Sequence, residues 1–192
     1  MPAQALLDRF GEILKKWQKA VNLISQKDEA HLWERHILDS AQVYFLLPEN
    51  ASVMVDFGSG GGFPGLVVAI LNKCFNGPLT DIYLIESDIK KCVFLQEAAR
   101  ELGVQVHIIN KRIEEVKNIQ ADVITARGFA VIQKILEYGL PFLKEQTVFL
   151  LPKGEKAPQE INEIRYRAQV NLVKSVIQKN SYIVQISEVS AK

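Results

Sequence analysis

Asp56-Phe57-Gly58-Ser59-Gly60-Gly61-Gly62-Phe63-Pro64-Gly65 is the stretch that decides the fold of this chain of 192 residues. The run Val53-Met54-Val55 before it predicts a short buried strand, and the apolar residues after it predict a helix through Leu71. Pro64 suits the first turn of that helix. Open α/β sheets bind ligands at such a strand–turn–helix junction. Because five glycines in eight residues exceed what a tight turn needs, we expect this glycine loop, residues 56–65, to hold a ligand against its backbone.

The same alternation of strands, turns and helices continues along the chain. Further strands are predicted in the segments 82–85, 104–109, 123–124, 148–151, 170–177 and 181–186, and helices in 88–103, 130–138 and 158–167. Only the turn Lys179-Asn180 separates the last two strands, which must therefore pair antiparallel. The expected fold class is α/β: a doubly wound, seven-stranded, mostly parallel Rossmann-like sheet with a C-terminal antiparallel hairpin, the layout of class I methyltransferases.

The first 50 residues carry a helical pattern instead. Apolar residues recur there at helical spacing, at Leu6, Phe10, Ile13, Leu14 and Trp17. A second helical pattern runs from about Glu29 to Leu46, and Pro48 marks its end. We therefore expect an N-terminal helical extension, residues 1–50, and a ligand-binding domain, residues 51–192, that form one compact unit.

Composition excludes several classes of protein. Hydrophobic residues make up 48% of the chain and charged residues 23%, as in ordinary globular proteins. No apolar run approaches the ~20 residues that span a bilayer, and the N-terminus lacks a signal-peptide core, so we expect a cytoplasmic protein. The net charge of +1 does not by itself indicate a nucleic-acid partner. Cys74 and Cys92 lie among apolar residues and are expected to be buried, and no metal site is expected.

Two cofactors suit the glycine loop. A nicotinamide dinucleotide needs a seat for its pyrophosphate, whereas S-adenosylmethionine carries an ammonium and a carboxylate but no phosphate. Asp56, directly ahead of the glycines, suits the ammonium, and Glu86 at the end of the second strand suits the ribose hydroxyls of either cofactor. Asp56 and the ending Gly62-Phe63-Pro64-Gly65 favour S-adenosylmethionine. A nicotinamide-dependent oxidoreductase and a non-catalytic nucleotide-binding module remain as alternatives.

The glycine loop also resembles the cofactor loop of the bacterial ribosomal RNA small-subunit methyltransferase G family, once called glucose-inhibited division protein B. Other stretches resemble the signatures of this family in the same order: Trp17-x-x-x-x-Asn22-Leu23, Arg35-His36-Ile37-Leu38-Asp39-Ser40, Lys90-Lys91-x-x-Phe94-Leu95, Arg112-x-Glu114, Thr125-Ala126-Arg127 and Lys153-Gly154. The matches extend from Trp17 to Gly154. One departure is Gly128, because the family usually places alanine after the arginine.

The resemblance implies an enzyme that methylates guanine N7 in the 530 loop of 16S rRNA, with S-adenosylmethionine as cofactor. The RNA partner would be free rRNA, the small ribosomal subunit or an assembly intermediate. The resemblance also implies cofactor contacts, to which we add Asp56, Gly60 and Glu86; the whole cofactor set is Asp56, Gly58, Gly60, Phe63, Glu86, Ile113, Glu114 and Arg127. No catalytic base is expected, since the lone pair of N7 carries no proton.

Three residues are the candidates for substrate binding, and each has a structural alternative. Arg35 and His36 belong to a family motif, although a helical histidine is as often a packing or capping group. Lys153 follows the fifth strand, where it would meet an RNA phosphate as a point charge. The alternative is that Lys153 forms an ion pair with Glu155 or another nearby acid.

Overall fold

The strands of this protein form one seven-stranded sheet in the computed structural model, which describes residues 2–190. Their bounds are β1 Val53–Phe57, β2 Asp81–Glu86, β3 His107–Asn110, β4 Ala121–Ala126, β5 Leu143–Lys153, β6 Arg167–Lys174 and β7 Tyr182–Ser190. The spatial order is β3-β2-β1-β4-β5-β7-β6. The first five strands are parallel, and β7 runs antiparallel to both β5 and β6. The predicted fold class, including the C-terminal hairpin, is confirmed.

Helices cover both faces of this sheet. They are α1 Ala3–Gln18, α2 Gln26–Glu29, α3 Asp39–Tyr44, α4 Gly65–Phe75, α5 Ile89–Leu102, α6 Ile132–Gly139 and α7 Ala157–Asn162, with a π-helix at Trp33–Leu38 and 3₁₀ turns at Ile113–Glu115 and Leu140–Phe142. On one face, the buried side chains of α1 share a hydrophobic core with α4 and α5. On the other face, α6 and α7 pack over a second core. The buried face of the N-terminal extension is therefore continuous with the core of the sheet.

The second predicted helix, from about Glu29 to Leu46, differs from the structure. It is divided into α2, the π-helix and α3. Within the π-helix, the carbonyl of Arg35 accepts hydrogen bonds from the side chains of Arg127 and Gln178. Because this carbonyl has side-chain partners from elsewhere in the fold, the regular α-helical pattern does not continue through it. Single π-turns of this kind are frequent at functional sites.

One edge of the sheet collects the chain segments that follow the parallel strands. Phe57 at the end of β1 is paired with Ile85 of β2 on one side and with Ala126 of β4 on the other. Lys153 at the end of β5 is paired with Tyr182 at the start of β7. The glycine loop, the β4–α6 loop and the β6–β7 turn are therefore neighbours at this edge, where open α/β sheets bind their ligands.

Candidate cofactor and substrate site

A cavity of about 660 Å³ lies at this edge of the sheet. Its size is that of a typical small-molecule site. Nine of the eleven residues predicted for the site line it: His36, Gly58, Gly60, Phe63, Glu86, Ile113, Glu114, Arg127 and Lys153. Asp56 and Arg35 are the two that do not. The fold therefore brings most of the predicted site together.

The glycine loop is fixed to β2 by hydrogen bonds. The N–H of Ser59 donates to the carbonyl of Ile85 over 3.1 Å, and the N–H of Gly60 donates to the Glu86 carboxylate over 3.0 Å. Gly58 has a φ of +65°, and a Cβ placed there would collide with the ring of Phe129. Both the backbone conformation and the close approach of that ring therefore require glycine at this position.

Asp56 lies beneath the glycine loop rather than in the cavity. Its side chain is fully buried and accepts a hydrogen bond of 2.8 Å from the hydroxyl of Thr125 on β4. Its second carboxylate oxygen lies 2.8 Å from where a Cβ on Gly65 would be. Burial raises the pKa of Asp56 to about 7. The sequence predicts this residue against the cofactor ammonium; in the structure its side chain connects β1 to β4 and lies close to the start of α4.

Glu86 holds the glycine loop and also borders the cavity. The side chain is buried but lines the cavity, and its carboxylate accepts hydrogen bonds from the N–H groups of Gly60 and Asp88 over 3.0 and 2.9 Å. Each carboxylate oxygen has a second lone pair. Glu86 can therefore accept ribose hydroxyls while it continues to hold the glycine loop.

Arg127 connects the end of β4 to the N-terminal extension. Its guanidinium donates to the carbonyl of Arg35 and, over 2.6 Å, to Nδ1 of His36. It also lies 3.7 Å from the Asp39 carboxylate and 5.8 Å from the centre of the Phe63 ring. Arg127 therefore forms an ion pair with a nearby acid and also lines the cavity.

His36 is held as a neutral hydrogen-bond acceptor. Burial and, after it, the positive charge of Arg127 together lower its pKa to about 4. Because Arg127 donates to Nδ1, the proton of the neutral ring is assigned to Nε2, which lies 3.6 Å from the Asp28 carboxylate. The ring also packs 5.0 Å from that of Phe63. Arg35 is half-exposed and forms an ion pair of 2.6 Å with Asp28, outside the cavity.

Lys153 forms the ion pair that was the alternative to a phosphate contact. Its amine lies 2.8 Å from the carboxylate of Glu160 on α7, and it also donates to the carbonyl of Ala130 over 2.6 Å. The same carboxylate accepts a hydrogen bond of 2.8 Å from the N–H of Ile132. Lys153 and Glu160 together therefore fix the segment that precedes α6.

The cavity also has basic residues that the site prediction did not include. Lys91, Lys111 and Arg112 line it, and within residues 2–190 none of them forms an ion pair. The family motifs Lys90-Lys91 and Arg112-x-Glu114 carried the signal for them. We call Lys91, Lys111 and Arg112 the basic rim of the cavity. Lys91 and Arg112 follow different strands and come together only in the fold, so the net charge of the chain did not indicate this rim.

Residues 2–190 contain neither a candidate metal site nor a candidate membrane-spanning helix. From residue 2 to residue 190, no group of three or more His, Cys, Asp or Glu side chains is arranged to hold a metal ion. In the same range, no helix combines the length and the apolar character needed to cross a membrane.

Several solved structures with a similar fold are methyltransferases. A SAM dependent methyltransferase from Aquifex aeolicus superposes with a TM-score of 0.62 at 15% identity, covering 84% of this chain and 95% of that one. A tRNA methyltransferase from B. subtilis superposes with a TM-score of 0.58 at 19% identity, covering 80% of this chain and 66% of that one. At these identities the likeness concerns the fold.

Sequence comparison gives a closer relationship. The family described as rRNA small subunit methyltransferase G matches residues 3–185. The Ribosomal RNA small subunit methyltransferase G of Gluconobacter oxydans is 46% identical over 82% of this chain and 78% of its own length. That of Ruegeria sp. is 41% identical over 94% of this chain and 88% of its own length. The cofactor is S-adenosylmethionine, which the cavity volume, the glycine loop and Glu86 fit. The chain belongs to the rRNA small subunit methyltransferase G family.

Proposed function

We propose that this protein methylates guanine N7 in the 530 loop of 16S rRNA in the cytoplasm. The observation that supports N7 as the methyl acceptor is that the imidazole and carboxylate groups lining the cavity already interact with other groups of the protein. His36, Asp39 and Glu86 each accept hydrogen bonds from other groups of the protein. The pKa of Glu114 is lowered by its own backbone N–H and by the hydroxyl of Tyr138. Since none of these groups is an unengaged base, the site suits an acceptor atom that loses no proton.

The chain's own residues then act by positioning. S-adenosylmethionine supplies the methyl group on a sulfonium centre. For its binding we propose the glycine loop at Gly58 and Gly60, Glu86 for the ribose, and the cavity residues Phe63, Ile113, Glu114 and Arg127. Holding the acceptor, the methyl group and the sulfur in line can lower the barrier by roughly 7–11 kcal/mol. Glu114, kept ionised by its low pKa, is a suitable neighbour for the cationic product base.

We also propose that residues 1–50 and 51–192 work as one catalytic unit. Arg127, directly after β4, is bound to the π-helix, and Asp39 of α3 accepts a hydrogen bond of 3.2 Å from Ser175 of the β6–β7 turn. Gln42 of α3 binds the same turn through the N–H of Val176 over 2.9 Å. The extension thus supports two of the segments that border the cavity.

The experiment that tests the activity is methyl transfer from tritiated S-adenosylmethionine to small subunits and to free 16S rRNA, both lacking the modification. We expect label in 7-methylguanine, mapped to the 530 loop by borohydride reduction and aniline cleavage. Label at another atom or another loop, or no label in either substrate, would overturn the proposal. The comparison of the two substrates also establishes which form of the RNA is used.

Calorimetric titration separates the two other functions. We expect S-adenosylhomocysteine, the cofactor product, to bind and NAD(H) not to bind. Binding of NAD(H) alone would instead support a nicotinamide-dependent oxidoreductase. A non-catalytic module would bind a nucleotide and transfer no methyl group.

A further inference from the structure

We propose that Phe129 is the platform on which the target guanine stacks, an inference that rests on the proposed function. Phe129 lies in the loop between β4 and α6, and its ring lines the cavity. The side chain remains 36% exposed although it is a large aromatic group beside a buried core. Enzymes that modify a base in folded RNA take it out of its stack and hold it against aromatic or apolar side chains. Phe129 offers such a surface inside the cavity.

The ring is supported from below by other aromatic side chains. Its centre lies 6.3 Å from that of Phe57, which is fully buried at the end of β1, and 5.8 Å from that of Tyr138 on α6. Phe129 also covers Gly58, because a Cβ on that glycine would collide with the ring. These contacts fix one part of the ring against the protein and leave its exposed part to the cavity.

The loop that carries Phe129 is held at both ends. At its start, Arg127 is bound to His36 and to the carbonyl of Arg35. At its end, Lys153 donates to the carbonyl of Ala130, and Glu160 accepts the N–H of Ile132. An aromatic group held in this way loses little conformational freedom when a ligand stacks on it. The Lys153–Glu160 ion pair therefore has a positioning function for Phe129.

Space is available beside the ring. Gly128, directly before Phe129, also lines the cavity, with a φ of +62°, and nothing lies within 4 Å of where its Cβ would be. This is the position where the family usually has alanine. The absence of a side chain in this chain leaves an open approach along the backbone to the exposed part of the Phe129 ring.

The position of Phe129 in the sheet favours the substrate over the cofactor. The proposed cofactor residues Glu86 and Ile113 follow β2 and β3, on one side of β1. Phe129 follows β4, on the other side of β1, where Arg127 at the start of the same loop is the only one of the proposed cofactor residues. The hydroxyl of Tyr138 interacts with the Glu114 carboxylate. This pair therefore connects the side of the cavity proposed for the cofactor with the side that holds Phe129.

The test compares Phe129→Leu, which keeps an apolar contact with Gly58, with Phe129→Tyr, which keeps the ring. Aromatic stacking on a base is worth about 1–3 kcal/mol. We therefore expect Phe129→Leu to lower kcat/KM for the RNA by about 5- to 150-fold at saturating cofactor. The dissociation constant of S-adenosylhomocysteine, measured by calorimetry, should change by less than about threefold. Phe129→Tyr should recover most of the RNA activity.

Val131→Ala is the matched control, because Val131 is exposed in the same loop and does not line the cavity. It should leave both measurements unchanged, and circular dichroism should show that all three variants are folded. An unchanged kcat/KM for RNA in Phe129→Leu would overturn the inference. So would a loss of cofactor-product affinity beyond threefold, which would assign the ring to the cofactor pocket. If the wild-type protein transfers no methyl group to guanine N7, the proposed function itself has failed.

Discussion

The two loops that border the cavity are held in different ways. The glycine loop is fixed by hydrogen bonds to the adjacent strand β2, from the N–H of Ser59 to the carbonyl of Ile85 and from the N–H of Gly60 to the carboxylate of Glu86. The β4–α6 loop is fixed by long charged side chains that reach distant elements, through Arg127 to the π-helix and Lys153 to Ala130. The hydrogen bonds of the glycine loop join residues that are neighbours already because β1 and β2 are paired in the sheet. The contacts of the β4–α6 loop depend on charged side chains, and removing one partner of such a contact destabilises the protein because the other charge is left unpaired.

This difference predicts which property of the protein a substitution in each loop will change. Changes in the glycine loop should act more on cofactor binding than on stability, because the loop is short and its hydrogen bonds are local. Changes in the supports of the β4–α6 loop should act on stability and on RNA methylation, with a smaller effect on the cofactor. The following variants test this division, in order of expected effect.

Gly58→Val should have the largest effect. Its side chain would need a φ of +65°, would collide with Phe129 and would enter the cavity. We expect calorimetry to show at least about a hundredfold loss of S-adenosylhomocysteine affinity, roughly 2.7 kcal/mol or more, in a protein that still folds. Gly154→Ala is the control, since a Cβ there meets nothing within 4 Å. Normal affinity in folded Gly58→Val would show that the cofactor does not approach this glycine.

Lys153→Met should destabilise the protein by about 2 kcal/mol, because it leaves the partly buried carboxylate of Glu160 without its counter-charge. RNA methylation should fall, while the slope of log RNA affinity against log salt stays unchanged. Chemical denaturation and a salt titration measure the two effects. Lys156→Met, at an exposed lysine nearby, is the control. A slope smaller by about one unit in Lys153→Met would mean that the amine contacts a phosphate after all.

His36 makes the support of Arg127 dependent on pH. Its pKa is about 4 in the folded protein and 6.5 in the unfolded chain. The stability it contributes is therefore fully present above pH 6.5 and is lost as the pH falls toward 4. We expect His36→Gln to remove about 2 kcal/mol of the decline in unfolding free energy between pH 7.5 and 4.5. His31→Gln, at an exposed histidine, should leave the decline as in the wild type. An equal decline in wild type and His36→Gln would show that His36 does not titrate in this way.

Glu86→Ala should have a smaller effect on the cofactor than Gly58→Val. It removes the acceptor proposed for the ribose and the partner of the Gly60 N–H. Hydrogen bonds to a charged group contribute about 1.5–3 kcal/mol, so we expect roughly a tenfold to hundredfold loss of S-adenosylhomocysteine affinity. Stability should change little if the division between the two loops is correct. Unchanged affinity would assign Glu86 to the loop alone.

The sequence predicted the glycine loop well because its geometry depends on residues within it and on the ends of two neighbouring strands. The sequence did not show that Asp56 is buried beneath the loop and does not line the cavity, although a signal was available. Side chains alternate along a strand, so Asp56 shares a face with Met54, which packs in the core under α4. Val55 and Phe57 belong to the opposite core. Applying this alternation would have directed Asp56 beneath the loop.

The partners of Arg127 and Lys153 could not be predicted in the same way. Arg127 and His36 are separated by 91 residues, and their contact depends on how the N-terminal extension docks. The π-helix is a consequence of that docking, so the periodicity of residues 29–46 did not show it. For Lys153, the sequence offered Glu155 as a nearby acid, but the turn of chain before α7 brings Glu160 to the amine instead.

The hydrogen bond from Gln178 to the carbonyl of Arg35 joins residues 143 positions apart. Arg35 belongs to an early segment of the chain, and Gln178 lies in the turn before the last strand. During synthesis, this hydrogen bond to the π-helix can therefore form only after almost the whole chain has been made. A protein interrupted before the β6–β7 turn would carry the complete glycine loop and still lack the hydrogen bonds from this turn to Arg35, Asp39 and Gln42.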